Sequence, residues 1–68
     1  MEITIGKALK LGIKAQRAGQ NKIARNLYSA ILESQPKHPN TNYNMGVLVA
    51  SIGNLTEALP YFKTALEI

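Results

Sequence analysis

The sequence predicts an all-α fold: two antiparallel helix-turn-helix hairpins, four helices in all, stacked side by side. Two observations predict it. The chain of 68 residues matches itself at an offset of 34, with Gly12 on Gly46, Gly19 on Gly53, Ala24 on Ala58, Leu32 on Leu66 and Glu33 on Glu67. The identities are few, but most fall on glycine and on small or apolar positions, where backbone geometry and close packing tolerate least. Within each unit, apolar residues recur at steps of three and four, as in Ala8, Leu11, Ala15 and Ala18 or Ala24, Leu27, Tyr28, Ile31 and Leu32. That spacing gives each helix one apolar stripe.

The first helix is expected over about 5–18, where Gly19-Gln20 ends it because glycine readily takes the left-handed conformation of a helix C-terminus. The second is expected over about 21–34. Pro36-Lys37-His38-Pro39 stops it and starts the third, over about 40–52, since proline cannot donate inside a helix but fits its first turn. Gly53-Asn54 breaks the second hairpin, and the fourth helix follows over about 55–67. Asn54 with Glu57 three residues on has the spacing of an N-terminal cap. Gly12 and Gly46 lie inside helices, where each costs about 1 kcal/mol relative to alanine. The expected reason is close approach of a small residue, Ala24 or Ala58, from the other helix of the hairpin. Pro60, inside the last helix, predicts a slight bend on its outer side. Residues 1–68 then form one domain, repeat one about 5–38 and repeat two about 39–68.

Composition limits the function classes. At 46 % hydrophobic and 18 % charged, the chain should fold rather than remain disordered. It has no cysteine, so disulfides cannot reinforce so small a core, and association with other chains is the remaining reinforcement. The longest apolar run, Val47-Leu48-Val49-Ala50, is far short of the roughly 18 residues a bilayer requires. No membrane contact and no targeting segment are expected, and the cytoplasm is the expected compartment.

Groups that could converge for catalysis are scarce. His38 is the only histidine, and the four acids are scattered. Neither a metal ligand set nor an acid–base pair forms at these spacings. No enzyme activity and no cofactor are expected. The net charge of +4 resides in the first half, where Lys7, Lys10, Lys14 and Arg17 follow steps of three and four along one side of the first helix. Such a row could attract an acidic ligand or simply be a solvated face. No aromatic residues are interleaved with it, so nucleic acid is disfavoured.

The pattern resembles the tetratricopeptide repeat family, whose helical hairpins have the same 34-residue period. In the first unit the family's signature places hold Ala8, Leu11, Gly12, Ala15, Ala24, Tyr28, Ile31 and Pro36. In the second they hold Asn42, Met45, Gly46, Val49, Ala58, Phe62 and Ala65. Ala8 and Asn42 stand where the family carries a large residue. Gly12, Gly19, Ala24, Tyr28, Pro36, Gly46, Gly53 and Ala58 are the repeat-defining residues. The resemblance implies a short right-handed α-solenoid of TPR type that binds other proteins.

It also implies a concave peptide groove, here lined by Leu9, Lys10, Ile13, Arg17, Asn40, Tyr43, Asn44 and Val47. Arrays of this kind usually need about three units to cover their apolar faces. The last helix is therefore the expected self-association surface, through Leu59, Tyr61, Phe62 and Leu66, with a dimer as the first expectation. The expected function is a non-catalytic protein–protein interaction module, a scaffold for another protein or peptide, including an acidic one. The alternative is an N-terminal docking fragment of a larger bacterial transferase-type enzyme, from a weaker similarity over residues 21–66.

Overall fold

The computed structural model describes residues 3–67; residues 1, 2 and 68, the edges of the expected domain, lie outside it. Four helices follow in order: α1 Ile5–Arg17, α2 Asn21–Ser34, α3 Pro39–Ser51 and α4 Leu55–Leu66. Each boundary lies within one residue of its expected place. The small differences come from the caps. Ala18 and Ile52 close α1 and α3 from outside the last turn, and Pro39 is the first residue of α3. Among the described residues there is no strand.

The turns at 19 and 53 use one geometry twice. Gly19 and Gly53 have φ of 78° and 90°, the left-handed region that favours glycine. Past each, the chain folds back onto the helix end: Gln20 N donates to Ala15 O at 2.8 Å, and Asn54 N donates to Val49 O at 2.9 Å. These bonds satisfy carbonyls that the helix end would otherwise leave unpaired.

Three helices have side-chain caps. Thr4 Oγ1 accepts from Lys7 N at 3.2 Å, and Asn54 Oδ1 accepts from Glu57 N at 3.2 Å while its amide donates to Glu57 Oε1 at 2.8 Å. At α3 the cap is His38, whose Nδ1 accepts from Thr41 N at 3.3 Å and sits 2.8 Å from the Thr41 hydroxyl. An accepting Nδ1 leaves the ring proton on Nε2.

Helices α1 and α2 form one hairpin and α3 and α4 the other. Helix α2 packs on α3, α1 touches α3 lightly, and α1 does not pack on α4. The result is a slab of 35 × 28 × 14 Å. The core runs through both hairpins as Ala15, Ala24, Tyr28, Met45, Leu48, Val49 and Ala58. Among the described residues, every buried side-chain nitrogen or oxygen has a hydrogen-bond partner.

The glycines inside α1 and α3 serve close approach, and the side chain nearest to each is an aromatic ring rather than the alanine expected above. An alanine Cβ at Gly12 would lie 2.5 Å from Tyr28 Cε1, and one at Gly46 would lie 2.7 Å from Phe62 Cε1. The aromatic ring one turn beyond each alanine lies against the glycine backbone. Ala24 and Ala58, one turn before each ring, are fully buried. Pro60 is exposed within an uninterrupted α4, on the outer side.

Candidate functional site

Equivalent residues of α1 and α3 show which surfaces are covered and which are open. Both bury the stripe that faces their own hairpin partner: Ala8, Gly12 and Ala15 in α1, and Asn42, Gly46 and Val49 in α3. Helix α3 also buries Thr41, Met45 and Leu48, whose equivalents Lys7, Leu11 and Lys14 are exposed in α1. The second stripe is covered in α3 because α2 lies across it. The difference maps the joint between the hairpins, and with it the two ends that have no such neighbour.

The first open end is the head, formed by α1 and α2. Leu11, Lys14, Ala18, Ile23 and Leu27 line a depression of about 400 Å³ there. The second is the tail, on α4. Of that helix only Ala58 is buried, whereas Leu59 is 65 % and Leu66 81 % exposed. Thr56, Leu59, Pro60, Phe62, Lys63 and Leu66 line an open depression of about 710 Å³. Three of the four expected self-association residues thus share one face, while Tyr61 does not line it and packs partly against the core. Tyr43 joins the tail, its ring 6.0 Å from that of Phe62 at a 56° tilt.

The expected concave groove is brought together only in part. Ile13, Arg17 and Asn44 border one depression of about 340 Å³ between α1 and α3, with Gln16, Asn21 and Ser51. Leu9 and Ile13 are half-buried against the core, Val47 is half-buried, and Lys10 and Asn40 are exposed. Much of the polar lining is used within the fold. Asn44 donates to Asn40 O at 2.7 Å, Ser51 donates to Leu48 O at 2.7 Å, and Gln16 Oε1 accepts from the Tyr28 hydroxyl at 2.7 Å. The basic row divides between surfaces: Lys14 lines the head and Arg17 the groove.

The joint contains side-chain contacts that the sequence did not reveal. Arg25 of α2 forms an ion pair with Glu57 of α4, 32 residues away. Asn42 of α3 is buried and donates to Pro36 O at 3.0 Å and His38 O at 2.9 Å, fastening α3 to the turn before it. Burial pushes the Tyr28 hydroxyl above the usual phenol range. Among the described residues no group of three or more His, Cys, Asp or Glu could hold a metal ion, and no helix is long and apolar enough to cross a membrane.

Known proteins give no match to this chain: no family model, no curated protein and no solved structure.

Proposed function

We propose that the chain is a non-catalytic protein-interaction module, a pair of hairpins of the tetratricopeptide type stacked in a right-handed sense, that associates with further copies of itself through α4. The observation that carries this reading is the contrast in α4: one buried residue, against Leu59 and Leu66 exposed beside Phe62 in one broad depression. An apolar face of this kind is costly to leave in water and is a common mark of a protein contact. The groove between α1 and α3, with Ile13, Arg17 and Asn44 on its border, is the secondary candidate surface for a peptide, an acidic one included.

Sedimentation at micromolar to millimolar concentration tests the reading. The expected result is a folded species heavier than the 7.4 kDa chain, reduced to that mass by Leu59→Glu with Leu66→Glu. A folded monomer at every concentration would overturn it.

A further inference from the structure

We infer that copies of this chain join head to tail, the α3–α4 end of one receiving the α1–α2 end of the next, with the joint inside the chain as the template. This rests on the self-association proposed above and adds the surface that meets α4.

The inference comes from a pair of contacting residues that change character together. Inside the chain, Arg25 of the first hairpin meets Glu57 of the second. One repeat further on, the place of Arg25 is taken by Leu59; one repeat back, the place of Glu57 is taken by Ile23. Both replacements are apolar, and both are more than half exposed, Leu59 at 65 % and Ile23 at 51 %. A second copy laid on the tail as the second hairpin lies on the first would set Ile23 opposite Leu59. These side chains are shorter than the charged pair, so they touch when the two ends draw slightly closer. An ion pair between the hairpins of one chain becomes a hydrophobic pair between chains.

The other open residues agree. The tail offers Tyr43, Phe62 and Leu66 where the covered joint has Leu9, Tyr28 and Leu32, and the head offers Leu11 where the joint has Met45. Two-fold pairing of tails would cover α4 but leave Leu11, Ile23 and Leu27 open; a head-to-tail contact covers both ends. Such a contact does not close on itself unless its rotation happens to complete a ring, so it produces a ladder of sizes.

Charge sets the conditions. Lys7 and Lys14 replace the buried Thr41 and Leu48, and Lys63 replaces Ser29. The joint between chains therefore gathers ammonium groups, which keep to water on stems laid along apolar surface. Salt screens their repulsion, so association should strengthen as salt rises.

The test is sedimentation velocity on the full chain, at low and high salt, with four variants. The expected result for the unsubstituted chain is a ladder of oligomers that lengthens with concentration and with salt. Ile23→Glu and Leu59→Arg, both at exposed positions, should each weaken association by about tenfold or more, because each sets a charge against an apolar partner. The double variant should restore the ladder, because it rebuilds between chains the ion pair found within one. Circular dichroism confirms that each variant is helical, and Lys14→Leu should lengthen the ladder at low salt. Association that stops at two, is unchanged by Ile23→Glu, or is not restored in the double variant overturns the head-to-tail joint while the self-association reading survives. A folded monomer throughout overturns both.

Discussion

Tyr28 of α2 and Phe62 of α4 hold the same place in their hairpins, each with its ring against a mid-helix glycine, Gly12 or Gly46. Tyr28 has no exposed surface, and its hydroxyl donates to Gln16. Phe62 keeps part of its ring in solvent and lines the open tail. The mid-helix glycine and the alanine one turn before the ring are the same at the two sites, and the environments differ in what comes next: α3 crosses the first hairpin, and no described element crosses the second. A repeat builds its own ring-on-glycine contact, but a neighbour is required to seal it.

Removing the rings should give the largest effects. Tyr28→Ala opens a sealed site and should cost about 3 to 5 kcal/mol, enough to unfold a chain this small. Phe62→Ala should cost about 2 kcal/mol, since less area returns to water. Urea denaturation below the association range compares them, and equal costs would break the contrast.

Gly12→Ala and Gly46→Ala sharpen it. Each gains about 1 kcal/mol of helix propensity and meets a ring that must shift, at an overpacking cost of about 1 to 3 kcal/mol. Tyr28 is walled in and Phe62 can swing outward, so Gly12→Ala should be the more destabilising and Gly46→Ala close to neutral. His38→Ala removes the side-chain cap of α3 and should cost about 1 kcal/mol, whereas His38→Asn should keep most of it. Thermal melting of both variants checks this.

The smallest effect is on pH. Burial favours the neutral phenol of Tyr28, so its folded pKa lies above the unfolded value of 10.0. Its contribution to stability is complete below pH 10.0 and is lost as pH rises from there through the folded value. Denaturation across alkaline pH should show that loss in the native chain and a weaker one in Tyr28→Phe.

Four helices and both glycine turns were legible because their signals are local: a period of three to four, a left-handed glycine, an asparagine three residues ahead of a glutamate. What fills the space over Gly12 was not, because a small residue and a ring both fit a glycine gap on paper, and only the packed hairpin settles which side chain points there. Thr41 and Asn42 are polar yet buried, one bonded to the capping histidine and the other to two carbonyls of the turn, partnerships that no spacing along the chain announces. The Arg25–Glu57 pair spans two hairpins and carries no periodic trace. The open tail was expected from the apolar content of α4. Which of its residues share a face was not, since Tyr61 and Phe62 are chain neighbours that diverge in the fold.

The absence of α1–α4 packing has a kinetic meaning. Helices pack with chain neighbours, apart from the light touch of α1 on α3 and the ion pair between α2 and α4, so folding never has to bring α1 and α4 together. Little loop entropy is lost before contacts form, and such local topologies reach the native state in microseconds to milliseconds. Unravelling can begin at either outer helix without disturbing the other. Helix α3, held on both sides, should be the last to release its amide protons to solvent.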